Sequence, residues 1–416
     1  MISTIGKLIS FFRGNFDFFI VFLFKILSAF SVFIYQRELA YLWSPEDLGV
    51  FSSNLGIVMF VAAISNWGKS KGIIRVKSLN LSNEEIRYLV RFSLVKILTV
   101  SFLIVAIGYA VAKLILGITL LPLVLVIPLA SCSYFFADYY KSQNDPIRSV
   151  LSWSVLLNIS FLITVFSFSN ISLEYMTMSM AIVQILLFVM FLFGGNISTQ
   201  KYGNNDIIRQ SFVTITNDLG WNQIYEEIIR WTPLLILGFV DLKGAAMFTV
   251  AQKFAFIIYL VLSVINTIIP GRITDLIKRN QHAEALGVIR SAQNGMLVVG
   301  IVIAVFSFFG SDVLLGFFGD YYRVNGRYVL TLLMIGAVLH GYSDIRLLYF
   351  QISGMEKIAK KVSRIVAIFQ GITLPISFVL GGLNLLCGTI VISIGVKVVL
   401  LHLSMKDILE KDDSHS

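Results

Sequence analysis

Residues 149–169, SVLSWSVLLNISFLITVFSFS, run without one charged side chain, and residues 114–136 are likewise uncharged. About 20 consecutive apolar residues in a helix cross the hydrocarbon core of a bilayer. The whole chain of 416 residues is 57% hydrophobic and 14% charged, with a mean hydropathy of +0.83. Because soluble domains average about 25% charged residues, this composition excludes a water-soluble enzyme, a disordered chain and a nucleic-acid-binding domain.

Apolar stretches of this kind recur along the chain and predict an all-α integral membrane protein with twelve transmembrane helices. Stretch 212–240 is the least apolar, and we keep it because the orientation of every later loop depends on it. The first stretch has no small-residue cleavage site after it, so we expect it to remain as a helix. The predicted spans are 17–36, 47–66, 92–111, 114–136, 149–169, 175–194, 212–240, 245–270, 294–311, 328–352, 365–381 and 383–403.

Basic residues concentrate in alternate loops, above all in 69–91, 272–290 and 357–364. Cytoplasmic loops carry an excess of Lys and Arg, so this asymmetry predicts cytoplasmic termini. It also accounts for the formal net charge of +9 without a nucleic-acid partner. The loops on the other side hold only Arg37, Lys113, Lys243, Arg323 and Arg327.

Two basic loops are predicted to form short helices that lie on the membrane surface. Ser82 and Glu85 have the spacing of a capping box before an apolar run. Segment 273–291 mixes apolar and basic residues as interfacial helices do.

A weak internal repeat divides the chain in two. Gly49-Val50-Phe51-Ser52 and Ala246-Met247-Phe248-Thr249 lie about half the chain apart, each after a short external turn. The repeat predicts two six-helix bundles, 1–200 and 201–416, related by a pseudo-two-fold axis along the membrane normal. Parallel repeats of this kind place a substrate cavity between the halves.

Charged residues deep in predicted spans are the candidate site residues, because a charge in hydrocarbon is costly. Lys25, Arg230, Lys253 and Arg346 are predicted to bind an anionic headgroup, and pyrophosphate suits ammonium and guanidinium groups. The alternative is structural ion pairing between helices, and Arg230 also has Glu226 four residues before it on the same predicted helix as a candidate partner. Lys96 and Lys397 lie near predicted helix ends, where snorkelling explains them.

Carboxylates at comparable depth are predicted to take part in ion coupling or to line a wet half-helix: Asp218, Glu226 and Glu227. The four histidines are scattered without metal-ligand spacing, and Cys132 and Cys387 lie in apolar stretches. The sequence therefore predicts neither an enzyme nor a metal site, and it implies no cofactor.

Several stretches resemble the Wzx-type O-antigen flippases of the MOP superfamily. They are Arg37 to Ala40, Pro45 to Ser52, Trp67-Gly68, Gly72 to Arg75, Phe248 to Lys253 leading to Ile269-Pro270, Leu315 to Tyr322, and Gly354. The resemblance implies two bundles in a V shape that move an undecaprenyl-pyrophosphate-linked oligosaccharide to the periplasmic leaflet by alternating access. It also implies a place in lipopolysaccharide biosynthesis, with membrane lipids and polysaccharide polymerase machinery as partners.

One departure from that family concerns ion coupling. Its members often carry an acidic residue near the position of Thr232, whereas Glu226 and Glu227 lie over a turn earlier. The resemblance therefore transfers no coupling role to them. Three other functions stay open: a MATE-like multidrug or cation exporter, a membrane-embedded polysaccharide polymerase or ligase, and a non-transporting scaffold.

Overall fold

The computed structural model describes residues 16–77, 82–111, 121–143, 145–168, 171–194, 206–279, 281–353 and 355–413. Within these ranges every regular element is a helix, which agrees with the predicted all-α class. The first seven residues of the predicted span 114–136 and the basic residue Lys113 lie outside the described residues.

The first part of the chain forms eight α-helices, the sixth of which continues into a π-helical turn, Leu151–Val155. Asp145 caps the sixth helix, since its carboxylate accepts a hydrogen bond from the Arg148 amide at 2.9 Å. The helices are α1 (Phe16–Leu42), α2 (Pro45–Asn66), α3 (Lys69–Lys77), α4 (Asn83–Val111), α5 (Leu121–Ser142), α6 (Pro146–Val150), α7 (Leu156–Ser167) and α8 (Leu173–Gly194).

The second part contains the longest helices. The last of them is interrupted at Gly381 and Gly382, whose backbone angles are not helical. The helices are α9 (Asp206–Val240), α10 (Leu242–Lys278), α11 (His282–Phe309), α12 (Ser311–Gly316), α13 (Asp320–Asn325), α14 (Arg327–Ile352) and α15 (Glu356–Asp413).

Eight helices among the described residues are long and apolar enough to cross a membrane: α1, α2, α4, α8, α10, α11, α14 and α15. This makes the chain a multi-pass membrane protein. Helix α15 covers both predicted spans 365–381 and 383–403, separated by its glycine break. The number of twelve crossings and the two-fold axis stay predictions.

The two predicted surface helices are wrong as separate elements. The Ser82 capping box is present, with the Ser82 amide donating to Glu85 at 2.8 Å and the Glu85 amide donating to Ser82 Oγ at 3.3 Å. The helix that it starts, however, runs on without a break to Val111. Segment 273–291 is likewise divided between the end of α10 and the start of α11, because continuous backbone hydrogen bonding extends both spans beyond their apolar stretches.

The chain forms two compact units, Met1–Glu38 with Ile57–Ile224 and Leu39–Gly56 with Tyr225–Ser416. In the first unit α5 packs against α3, α4 and α8. Its core is aromatic at the contact of α5 with α8, where the rings of Phe136 and Phe191 stack with centroids 3.5 Å apart. Leu89, Ile97 and Cys132 complete this core, each fully buried.

In the second unit α14 lies at the centre and contacts α10, α11 and α15. The N-terminal part of α2 also packs on the C-terminal part of α9. A Cβ atom placed on Gly238 would lie 2.4 Å from Ser53 Oγ, and one on Gly49 would lie 2.0 Å from the Leu242 carbonyl oxygen. Small residues at this spacing let two helices approach closely.

The starts of α2 and α10 show the offset of the sequence repeat, since α2 begins at Pro45 and α10 at Leu242. Both have a side-chain cap at the equivalent position. Ser44 Oγ accepts a hydrogen bond from the Asp47 amide at 3.1 Å, and Asp241 Oδ1 accepts one from the Gly244 amide at 2.8 Å. Each cap satisfies one of the amide groups that a helix start leaves without an intrahelical partner.

Candidate site: charged side chains within the membrane helices

Lys25 is the one predicted headgroup-binding residue of the first unit. It lies on α1, is partly buried, and is within electrostatic range of the Lys141 ammonium on α5. Lys141 itself forms an ion pair with Asp138 at 2.6 Å. Asp138 therefore offsets part of the positive charge that Lys141 places near Lys25.

Lys253 belongs to the second unit and lies eleven residues beyond the start of α10. It is partly buried, next to the buried Phe254 and on a helix whose Phe256 and Ile257 are exposed. No carboxylate among the described residues lies within ion-pair distance of its ammonium. A partly buried cation without an acid has a free energy to gain from an anionic ligand.

Arg230 forms its ion pair with Glu227, three residues earlier, at 2.9 Å. The predicted pairing with Glu226 is wrong, because Glu226 turns toward other helices. The Glu227 carboxylate is buried and also accepts a hydrogen bond from Trp231 Nε1 at 2.9 Å. Arg230 is largely exposed on the helix, so its guanidinium keeps donors available beyond this pair.

Lys397 is the centre of an ion network that the sequence did not reveal. Its side chain is 1% exposed, and its Nζ lies 2.9 Å from Glu226 Oε2 of α9 and 3.2 Å from Asp344 Oδ1 of α14. The expected snorkelling of Lys397 is therefore wrong. A buried ammonium is tolerated where carboxylates pair with it, whereas Lys96, which has an exposed side chain, lies where snorkelling suits it.

Two further side chains complete this network. Ser363 Oγ donates a hydrogen bond to Glu226 Oε1 at 2.5 Å, and His340 Nδ1 lies 3.0 Å from Asp344 Oδ1. The His340 ring also contacts the ring of Tyr259, with centroids 5.4 Å apart. The network therefore joins two carboxylates, one ammonium and the imidazole of His340.

Arg346 is buried, and its partners are neutral. Nη1 lies 3.0 Å from His402 Nδ1, and Nη2 donates to Gln293 Oε1 at 3.2 Å. Its guanidinium also lies over the Tyr342 ring, 5.7 Å from the centroid. Asp344, two residues earlier, faces Lys397 instead, as expected for residues that do not share a helix face.

Two other charged residues contribute less to a buried site. Asp218 is exposed on the first half of α9. Lys69, in the short helix α3 outside the spans, has its pKa lowered to about 8 by burial and by the nearby charge of Lys96. Lys69 lies outside the membrane-spanning helices, so it does not join the set.

Sequence reasoning missed the pairing of Lys397 with Glu226 and Asp344, the role of Ser363, and the environment of Arg346. The partners of Lys397 lie 171 and 53 residues away in the chain. The presence of acids in other spans was the only available signal, and it does not say which acid meets which base.

Comparison with known proteins shows likeness in fold. No protein-family model and no curated protein matches the sequence. The lipid II flippase MurJ in an inward closed conformation aligns with a TM-score of 0.75 at 17% identity, over 92% of this chain and 87% of that chain.

Two further solved structures align over most of their length. An inward-facing multidrug resistance MATE family transporter of the MOP superfamily has a TM-score of 0.66 at 15% identity, covering 94% of this chain and 96% of that one. A MOP superfamily transporter from Pyrococcus furiosus has a TM-score of 0.65 at 13% identity, with 95% and 94% covered. The chain therefore has the fold that these solved structures share.

Proposed function

We propose that the protein is a flippase that moves an undecaprenyl-pyrophosphate-linked oligosaccharide, an O-antigen repeat unit, from the cytoplasmic to the periplasmic leaflet of the bacterial inner membrane. It would act in lipopolysaccharide biosynthesis by alternating access and pass its cargo to polysaccharide polymerase machinery. The similarity in fold to a lipid II flippase supports a lipid-linked cargo. The charges of the membrane helices support an anionic headgroup.

The observation that carries this proposal is Lys253. It is a partly buried cation in a membrane-spanning helix with no carboxylate partner among the described residues. A pyrophosphate would supply the missing counter-charge, and hydrogen bonds to charged groups contribute about 1.5–3 kcal/mol each. Lys25 in the first unit and Arg230 in the second are further cations that we propose for the same headgroup.

The direct test is transport of a headgroup-labelled undecaprenyl-pyrophosphate oligosaccharide in proteoliposomes. The wild type should transfer the label between leaflets, and Lys253→Gln should slow transfer by roughly tenfold or more, as loss of one charge-assisted contact implies. Lys253→Arg should retain most of the activity, because it keeps the charge.

The matched control is Lys96→Gln, since Lys96 is an exposed lysine of another span. It should transport as the wild type does. Wild-type rates in Lys253→Gln, at equal amounts of folded protein, would contradict a headgroup role for Lys253. Absence of transport by the wild-type protein, with a known flippase active in the same vesicles, would contradict the proposed function itself.

A multidrug or cation exporter is the second candidate, because MATE transporters share the fold. A cationic drug needs buried carboxylates that it can neutralise. Here Lys397 already pairs with Glu226 and Asp344, and Arg230 pairs with Glu227. These internal cations favour the anionic cargo over the cationic one.

Uptake of ethidium into inside-out vesicles would distinguish the two candidates. We expect no uptake above that of empty vesicles, whereas uptake driven by a proton or sodium gradient would favour the exporter. The same gradients, applied during lipid transport, test the coupling that we predicted for Asp218, Glu226 and Glu227.

The MOP transporter from Pyrococcus furiosus is described as having a binding pocket of reverse polarity, so the charge of the pocket is a useful criterion for distinguishing functions within this fold.

A further inference from the structure

Arg346 lies in a set of side chains from three helices of the second unit. Gln293 of α11 and His402 of α15 contact its guanidinium, and the ring of Tyr342 lies one turn before it on α14. Gln293 is fixed in orientation, because its Nε2 donates to the Tyr342 carbonyl oxygen at 2.9 Å and its Oε1 then faces Arg346. The set is therefore organised around the guanidinium before any ligand binds.

The charge of this set is not balanced. Arg346 is 7% exposed, and no carboxylate among the described residues lies within ion-pair distance of it. The nearby charge that acts on it is Arg290, a second cation, on the exposed side of α11. Two guanidinium groups without an acid, one of them buried, form a site for an anion.

The hydrogen bonds of Arg346 leave donors for that anion. A guanidinium carries five N–H donors and accepts none, so Nδ1 of His402 accepts from Nη1 and the ring proton of the neutral imidazole is on Nε2. Two of the five donors are thus assigned to His402 and Gln293. Nε is buried and has no hydrogen-bond partner among the described residues.

The position of the set indicates which anion is available. Arg346 lies four residues before the end of its apolar span at Phe350, and His402 lies three residues before Met405, where the last span ends. On the same helices the exposed apolar side chains Val298, Val399 and Leu403 suit contact with acyl chains. The first turns of α15, which follow α14, carry Lys357, Lys360, Lys361 and Arg364, so this face is the cytoplasmic one by the distribution of charge.

Arg346 and Lys253 are too far apart to share one headgroup. Tyr259 of α10 contacts His340 of α14, and Gly326, just before α14, lies against Met247 near the start of α10, so the two helices run in the same direction. Lys253 lies six residues before Tyr259, and Arg346 lies six residues after His340. At 1.5 Å per residue the two cations are separated by about 18 Å along the bundle.

We propose that Arg346, Arg290, Gln293 and His402 form a binding site for the headgroup phosphate of an anionic phospholipid of the cytoplasmic leaflet, with its acyl chains along α11 and α15. Basic pockets between membrane helices on the cytoplasmic side bind such headgroups. The site is separate from the transported lipid and stays occupied while cargo is moved. It holds α11, α14 and α15 together at the ends where they leave the membrane.

The test is lipid retention by native mass spectrometry of the purified protein in a neutral detergent with added phosphatidylglycerol or phosphatidylcholine. The wild type should retain one phosphatidylglycerol at least tenfold more tightly than phosphatidylcholine. Arg346→Gln should abolish this preference. Arg290→Gln, an exposed position that is safe for folding, should weaken it severalfold.

Arg364→Gln is the matched control, since Arg364 is an exposed arginine on the same basic face, and it should leave the preference unchanged. Equal retention of the two lipids by the wild type would overturn the proposal, as would equal losses in Arg364→Gln and Arg290→Gln. Displacement of the lipid by millimolar inorganic phosphate would assign the site to free phosphate and overturn the lipid assignment. Binding of undecaprenyl pyrophosphate should depend on Lys253 and not on Arg346, so this outcome is independent of the proposed flippase activity.

Discussion

At Lys397 a single ammonium group is held by carboxylates from two other helices, Glu226 on α9 and Asp344 on α14. Taking charges out of water costs several kcal/mol per ion, and their mutual attraction offsets this only while both signs are present. The three residues therefore depend on each other more than each contributes alone.

We expect Lys397→Met to lower the free energy of unfolding by about 3–5 kcal/mol, because it leaves two carboxylates without their buried partner. Thermal unfolding in detergent measures this as a lower Tm. The triple variant Lys397→Met, Glu226→Gln, Asp344→Asn should recover most of the loss, since no unpaired charge remains. Lys96→Met, which removes an exposed lysine, should leave Tm close to the wild type, and an equal loss there would contradict the assignment.

Residue roles were only partly predictable from the sequence. Lys397 and Lys96 both lie near an end of their predicted spans, yet Lys397 is buried and paired whereas Lys96 is exposed. Local position fixes the depth of a lysine in the membrane. Whether an acid from another span meets it depends on packing between helices distant in sequence.

At the scale of elements, the contact of α2 with α9 is built from small residues. Ser53 lies on one helix and Gly238 on the other, and no atom larger than hydrogen fits on that glycine. The two backbones lie close together, without interdigitating side chains. Because there is no hydrophobic driving force between helices in lipid, van der Waals packing holds them together.

Gly238→Ala should therefore destabilise the protein by about 1–3 kcal/mol, the usual cost of overpacking. Its Cβ would lie 2.5 Å from the Ser53 Cβ, an atom that cannot move without the backbone. The control is Gly388→Ala on α15, where a Cβ meets nothing within 4 Å. Alanine there should be neutral or stabilise the helix by up to about 1 kcal/mol, and equal Tm values for the two variants would refute the close contact.

Helix existence was predictable, but helix ends and functions were not. Apolar length located the spans because the bilayer sets it. The capping box at Ser82 and the mixed apolar and basic pattern of 273–291 predict separate surface helices, yet both segments belong to longer helices. Nothing in the apolar pattern marks the point where a span leaves the membrane, because hydrogen bonding continues beyond it.

For the whole molecule, orientation is the prediction that all functional statements share. The native thiols give a clean background, because Cys132 and Cys387 are free and each is 0% exposed. A membrane-impermeant maleimide applied to spheroplasts should label Asp320→Cys at once. Lys357→Cys should react only after the membrane is permeabilised, since it lies in the basic first turns of α15. The opposite pattern would reverse the topology and the direction of transport.

The fold class followed from composition and from the recurrence of apolar stretches, and the solved structures of similar fold agree with it. The cations of the site followed from their cost in hydrocarbon. The sequence does not predict which of these cations has a partner. Lys253, Arg230 and Arg346 all appear as single basic residues within apolar stretches, and they differ in the side chains that lie around them in the fold.

The glycine break in α15 leaves only Gly381 and Gly382 outside helical geometry. The first arm of α15 ends before Gly381 and the second begins after Gly382. Because only two residues join them, the arms cannot slide past each other by a full helical turn, and they form one hairpin. Glu226 contacts both arms: it accepts a hydrogen bond from Ser363 on the first arm and pairs with Lys397 on the second. Loss of the charge on that one carboxylate would weaken the contacts of both arms with α9 together, whereas the hydrogen bond from Gln370 Nε2 to the Ile229 carbonyl oxygen would still join the first arm to α9.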